Sequence, residues 1–228
     1  MSGPTPGYPE PMTSSDKPAV VFLHGLARTR VSMERLKWTV SKEGYDTWSC
    51  TYPSRSLPVA ELAKAVAMWI KRDLPGRELI AVTHSMGGIL VRHIDLPWKR
   101  ILMLAPPNQG SAFAARARTW APFKLYYGPA GQEMAEAAEW PQPNAPTCVI
   151  AGTGGLTPTN PSSWLATALG IWSADVDHDG TVSVEEAKLP GLVDFATVPA
   201  SHTFIMEHPE TRALVLRFLE TGRLLREL

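Results

Sequence analysis

A serine hydroxyl becomes a nucleophile when an imidazole can take its proton and a carboxylate holds that imidazole in place. Ser85, His202 and Asp179 offer those groups. Ser85 stands in Thr83-His84-Ser85-Met86-Gly87, between the strand-forming run Leu79 to Val82 and an apolar helical pattern that begins at Gly88, Ile89, Leu90 and Val91. A sharp strand-to-helix turn lifts such a hydroxyl above a sheet edge, and the unpaired N–H groups at the helix start face a developing oxyanion. The pattern G-x-S-x-G for this turn is broken at its first position by Thr83, whose β-branched side chain needs extra room against the following helix. A serine that merely caps a helix is the alternative reading.

Six histidines compete for the role of base. His24 and His84 sit beside turns, His93 lies within a helix as a surface or packing residue, and His208 precedes Pro209 as a helix cap. His202, in Pro199-Ala200-Ser201-His202-Thr203, follows the last strand directly, where a base belongs when the order is Ser, then Asp or Glu, then His. The acid should lie between them, and Asp175-Val176-Asp177-His178-Asp179-Gly180 supplies candidates: Asp179 on its Asp-Gly turn first, Asp177 second. Asp194, inside the last strand, is a poor candidate. Ordinary solvated turn residues are the alternative for any one of these aspartates. The oxyanion would be met by the N–H groups of Met86 and Leu26.

A rival pattern overlaps the acid. Asp175, Asp177, Asp179-Gly180 and Glu186 match the calcium-loop spacing D-x-[DN]-x-[DN]-G-x5-E. Pro190-Gly191 leaves barely one turn for an exiting helix, and the chain has no paired second loop. The expectation is therefore no metal, with Asp175, Asp177 and Glu186 as the residues that would bind calcium if one were held.

The elements that must position these groups alternate between strand and helix. Ala19–His24 is a continuous apolar run suited to a strand buried on both faces. A helical pattern over Val31–Glu43 carries Met33, Leu36, Trp38 and Val40 at roughly helical spacing, and Tyr45–Tyr52 is a second strand. A helix over Pro58–Asp73, the strand Leu79–His84, a helix over Met86–Ile94 and the strand Arg100–Ala105 follow. Short alanine-rich helices near Ala112–Arg118 and Gly131–Trp140 flank an aromatic loop. Then come a strand at Thr147–Ala151, an apolar helix or lid-like segment at Trp164–Trp172, a strand at Asp194–Val198 and a closing helix over Glu210–Leu228. This alternation predicts an α/β class with a mostly parallel central sheet flanked by helices.

At 228 residues the chain suits one domain, expected over 18–228, behind a Pro/Gly/Ser-rich disordered arm over 1–17. Basic and acidic residues number 22 each, so no net field recruits nucleic acid or an anionic membrane. No apolar run reaches bilayer length, and the first residues lack the features of a secretory signal. Cytoplasmic location is the default expectation, and a secreted protein trimmed of its signal is the alternative. Cys50 and Cys148, each on an expected strand, are taken as reduced thiols.

Assembled, these residues resemble the α/β-hydrolase superfamily, and within it the small lipases and esterases. Phe22-Leu23-His24-Gly25-Leu26 is similar to the oxyanion strand and loop, and Thr83-His84-Ser85-Met86-Gly87-Gly88 to the elbow. Leu104 to Ser111 is similar to the A-P-x-x-G-S segment, Asp179-Gly180-Thr181-Val182 to the acid turn, and Ser201-His202-Thr203-Phe204 to the base loop. The resemblance implies hydrolysis of a small or lipid-like carboxylic ester through an acyl-serine, without a cofactor. Ser85 would then be nucleophile, His202 base and Asp179 its orienter, with Leu26 and Met86 as oxyanion donors. His24, Trp120, Phe123, Tyr126 and Trp164 are the expected substrate contacts, with core packing as the alternative for each. The short interval before the acid leaves no room for a large cap domain and favours short or medium acyl chains. A thioester, amide or lactone substrate would use the same triad. A non-catalytic, calcium-binding use of the fold is the alternative of a different class.

Overall fold

The computed structural model describes residues 17–135, 140–155, 164, 170–172 and 175–225. The expected arm over 1–17 therefore lies outside the described residues apart from Lys17, and so does most of the Trp164–Trp172 segment. The strands are β1 (Ala19–Leu23), β2 (Thr47–Ser49), β3 (Leu79–His84), β4 (Trp98–Leu104), β5 (Thr147–Gly152) and β6 (Asp194–Val198). They form one sheet in the order β2-β1-β3-β4-β5-β6, every neighbouring pair parallel. The helices are α1 (Glu34–Lys42), α2 (Val59–Asp73), α3 (Met86–His93), α4 (Ala112–Ala117), α5 (Ala121–Glu133), α6 (Val184–Ala187) and α7 (Pro209–Thr221).

Strand periodicity divides the core into two layers. Val21, Ala81, Ile101 and Val149 point to one face, packed by Leu62, Val66 and Ile70 of α2 and Ile89 and Leu90 of α3. Val20, Ile80, Leu102 and Cys148 point to the other, packed by Leu36 and Val40 of α1 and by Val215 and Phe218 of α7. Burial on both faces explains the apolar runs Ala19–Leu23 of β1 and Leu79 to Val82 of β3. Among the described residues, no helix is long and apolar enough to cross a membrane.

Several elements depart from the sequence expectations. The second strand shrinks to Thr47–Ser49, and the Val31–Glu43 pattern divides into a 3-10 turn (Arg30–Met33) and α1. Trp38 turns outward with Lys42 Nζ 3.6 Å from its ring centre, because i and i+2 from Leu36 lie on different helix faces. The closing helix stops at Thr221, where Gly222 takes φ 78° and its N–H reaches the Phe218 carbonyl at 2.8 Å. The expected aromatic loop is instead α5, kinked at Gly128 (φ 62°), where a Cβ would lie 1.8 Å from the Arg55 carbonyl oxygen. Cys50 and Cys148 are free thiols, with burial raising them to about 12 and about 11.

Candidate active site

The parallel sheet delivers four connections to one edge, after β1, β3, β5 and β6, and the candidate groups come from those connections. Ser85 follows β3 with φ 52° and ψ −124°, a strained conformation that aims its side chain out of the turn. Room for that turn comes from glycine: a Cβ on Gly87 would lie 2.5 Å from the Leu23 carbonyl oxygen. The threonine that breaks the sequence pattern is fully buried, with its Oγ1–H donating to the Leu102 carbonyl at 3.4 Å. Gly88 permits a different close approach: a Cβ there would lie 2.9 Å from Pro106 Cβ.

His202 follows β6 and bridges the set. Its Nε2 is 2.9 Å from Ser85 Oγ and its Nδ1 is 2.7 Å from Asp179 Oδ2. With the Nδ1 proton donated to the carboxylate, Nε2 is the acceptor for the serine hydroxyl. Asp179 is buried, and its Oδ1 accepts N–H bonds from Thr181 (2.9 Å) and Val182 (2.8 Å). The His202 N–H reaches the Asp179 carbonyl at 2.9 Å, tying base loop to acid loop through the backbone. Gly152 and Gly154 let the chain after β5 press against the base loop. A Cβ on Gly154 would lie 2.5 Å from Ala200 C and 2.6 Å from Ser201 N.

Leu26 and Met86, the expected oxyanion donors, both line the cavity beside Ser85. Met86 opens α3, so its N–H has no intrahelical acceptor. The cavity measures about 140 Å³, with Phe113, Ala114, Phe123, Tyr127, Met134 and Val182 as apolar walls and Arg28, Thr181 and Thr203 among its polar groups.

Not every expected contact is there. Phe123 lines the cavity, but Trp120, Tyr126 and Trp164 do not; they stand on the surface at 40%, 53% and 52% exposure. His24 is fully buried behind the oxyanion loop rather than in the cavity. Its ring stacks on Tyr52 at 3.8 Å, its Nδ1–H donates to the Gly25 carbonyl at 2.8 Å, and its Nε2 accepts the Tyr52 N–H at 3.3 Å. The Tyr52 hydroxyl in turn donates to the His24 carbonyl. Burial lowers the His24 imidazole to about 4, so it is neutral and works as a clamp on the loop.

Asp177 is exposed and Asp194 is held by the N–H groups of Leu224 and Leu225, so neither competes with Asp179. His208 sits at the start of α7 but makes no side-chain capping bond. The calcium-like spacing also resolves differently. Glu186 Oε2 accepts the Ser183 N–H at 2.6 Å while Ser183 Oγ accepts the Glu186 N–H, a capping box for α6. Its Oε1 accepts the Ala112 N–H at 2.5 Å. With Asp179 bound to His202, these carboxylates do not converge, and no metal-holding group of His, Cys, Asp or Glu occurs among the described residues.

Structure adds positioning residues that sequence reasoning missed. His84 is buried with its Nε2–H donating to the His202 carbonyl at 2.9 Å, and burial, then the neighbouring His202, drives its imidazole well below the usual range. It is a neutral brace between elbow and base loop. The segment after β4 braces the acid turn. Asn108 Nδ2–H donates to the Ala187 carbonyl (2.9 Å), the Gln109 N–H to the Glu186 carbonyl (2.9 Å), and Ser111 Oγ–H to the Thr181 carbonyl (3.3 Å). Arg92, on α3, holds Asn108 Oδ1 at 3.2 Å from the opposite side.

No model of a known protein family matches the chain, and no curated protein matches it in sequence. Solved structures do match in three dimensions. The mature form of a lipase from Bacillus licheniformis aligns with TM-score 0.69 at 20% identity, over 92% of this chain and 96% of that one. A metagenomic carboxyl esterase aligns with TM-score 0.60 at 18% identity, over 97% of this chain and 81% of that one. The thioesterase of the prodiginine biosynthetic pathway in Streptomyces coelicolor aligns with TM-score 0.58 at 15% identity, over 96% of each chain. Six parallel strands in this order, flanked by helices and superposable on the lipase and the thioesterase over nearly their whole length, give this chain the α/β-hydrolase fold.

Proposed function

We propose that this protein is a serine hydrolase that cleaves carboxylic esters of short or medium acyl chains through an acyl-enzyme. The observation that carries this reading is the single imidazole of His202 bonded at once to Ser85 Oγ and to Asp179. Ser85 Oγ attacks the carbonyl carbon while its proton passes to His202 Nε2. Asp179 stabilises the imidazolium and keeps its orientation. The carbonyl π pair becomes an oxyanion facing the Leu26 and Met86 N–H groups. Collapse expels the alkoxide, which takes the proton from His202. A water molecule then gives its proton to His202, attacks the acyl carbon and regenerates the serine. The small cavity with its Phe113, Phe123 and Met134 wall supports a short or medium acyl group. Thioesters pass through the same steps, so the same assay includes a matched ester and thioester.

Wild type and Ser85→Ala are compared on p-nitrophenyl acetate and butyrate. Loss of the nucleophile should lower kcat by about 10³-fold or more. A fluorophosphonate should label wild type at one site and leave the variant unlabelled. Equal hydrolysis by the two proteins would end the proposal.

A further inference from the structure

Arg28 lies two residues beyond Leu26 on the oxyanion loop and lines the same cavity as Ser85 and His202. Its surroundings are unusual for a partly buried cation. No aspartate or glutamate among the described residues lines the cavity. Among the described residues, its guanidinium makes no ion pair and no side-chain hydrogen bond. The groups that act on its charge are the phenols of Tyr126 and Tyr127 and the imidazoles of His24 and His84, none of them a carboxylate. Asp179 is not among the groups that line the cavity, and its carboxylate oxygens face His202, Thr181 and Val182.

An arginine removed from water without a carboxylate carries a desolvation cost that surface arginines avoid. Burial accordingly pushes its guanidinium below the usual range. The other arginines that are similarly enclosed have found acceptors: Arg92 donates to two backbone carbonyls and Asn108, and Arg77 to Asp46. Five N–H donors in a rigid planar fork, left open toward a cavity, match a planar carboxylate. The reach is short. Arg28, Leu26 and Ser85 line one cavity of about 140 Å³, so an anion held there by Arg28 sits within a few bonds of the carbonyl that Ser85 attacks.

We propose that Arg28 is a specificity residue that binds a carboxylate on the substrate, making the preferred substrate an ester that carries a negative charge a few bonds from its scissile carbonyl. This rests on the serine-hydrolase reading for turnover, though the anion site itself stands on Arg28 and the cavity. A carboxylate fits better than a phosphate: one cation in a cavity of about 140 Å³ does not supply the donors that a phosphate dianion needs.

The test pairs anionic and neutral substrates of matched length in wild type, Arg28→Met and Arg28→Lys. One pair varies the acyl half, mono-p-nitrophenyl adipate against p-nitrophenyl hexanoate. The other varies the alcohol half, 4-acetoxybenzoate against 4-acetoxybenzamide. The quantity read is the ratio of kcat/KM for anionic over neutral substrate. In at least one pair that ratio should fall by about tenfold or more in Arg28→Met, with Arg28→Lys between the two. A ratio unchanged in both pairs, with both substrates slowed alike, would show Arg28 to be structural and overturn the proposal. Calorimetry with Ser85→Ala and the double variant Ser85→Ala/Arg28→Met, using monomethyl adipate and dimethyl adipate, needs no turnover. Tighter binding of the monoanion that disappears with Arg28 supports the site even if ester hydrolysis fails. Equal binding of both compounds, alongside active hydrolysis, removes the site and leaves the enzyme.

Discussion

The two sides of the cavity are built by different means. The side that carries Asp179 and His202 is held by backbone: the acid-turn N–H groups on the carboxylate, the base-loop N–H on the Asp179 carbonyl, and glycines that bring the β5 connection into contact with Ala200 and Ser201. The facing wall, α4 and α5, is held largely by side chains, with Phe113 and Phe123 edge-to-face at 6.2 Å and Phe123 against Tyr127 at 4.7 Å. Its outer surface leaves Leu125 and Tyr126 exposed. Proton transfer fails when donor and acceptor drift by an ångström, whereas an apolar wall needs only shape. Backbone constraint where distance matters and side-chain contact where volume matters is what that division of labour requires.

If the backbone-held side is the more exacting, disturbing it should give the larger effects. The largest involves His24, which clamps the oxyanion loop as a neutral ring with its pKa lowered to about 4. Below its unfolded value of about 6.5 the unfolded chain takes up the proton first. Stability from this group is therefore complete above pH 6.5 and is lost as pH falls toward 4, by about 3 kcal/mol across the window. Buried His84, shifted the same way, adds to the slope. Urea denaturation at pH 7 and pH 4.5 should show His24→Asn less stable than wild type at pH 7 yet less sensitive to acid. An unchanged pH slope would mean the ring is not held neutral.

Next in size is Gly154→Ala. The new methyl group meets Ala200 and Ser201 backbone atoms, not a flexible side chain, so the base loop must move. A displacement of an ångström at His202 should lower kcat by about 10²-fold with little change in KM. A KM effect with normal kcat would place the disturbance in the wall instead and contradict the comparison.

The backbone-held side was also the legible one. Strand runs, the elbow, the Asp-Gly turn and the histidine after the last strand are local patterns, and the sheet brings their ends to one edge whatever lies between. Thr83 breaks the local elbow pattern, yet its fully buried side chain finds its hydrogen-bond acceptor on the neighbouring strand, at the Leu102 carbonyl. The calcium-like spacing has a second physical use: alternating carboxylates followed by a glutamate can surround an ion, but the same glutamate here caps its own helix with Ser183 and accepts the Ala112 N–H. The Ser183-x-x-Glu186 box is local, whereas the Ala112 contact comes from far away in the chain. His24, assigned to substrate, belongs to Tyr52, whose role depends on the pairing of β1 with β2.

By sequence the stretch after Trp120 reads as a loop, in which any aromatic could face inward. As a helix it sorts them. Phe123 and Tyr127 are i and i+4 and share the cavity face, with Gly131 and Met134 continuing it, while Tyr126 is turned away and its ring lies 5.3 Å from the Arg55 guanidinium. The last prediction therefore sets neighbours three residues apart against each other. Phe123→Ala should enlarge the cavity and raise KM for p-nitrophenyl butyrate several-fold, about tenfold at most, with a smaller change for the acetate because less of its acyl chain meets the ring. Tyr126→Ala should alter both by no more than about twofold, since exposed substitutions away from a site usually shift free energies by under about 0.5 kcal/mol. Equal effects of the two would mean that the face α5 presents to the substrate is not the one its helical register dictates, and the wall would lose its claim to select the acyl chain.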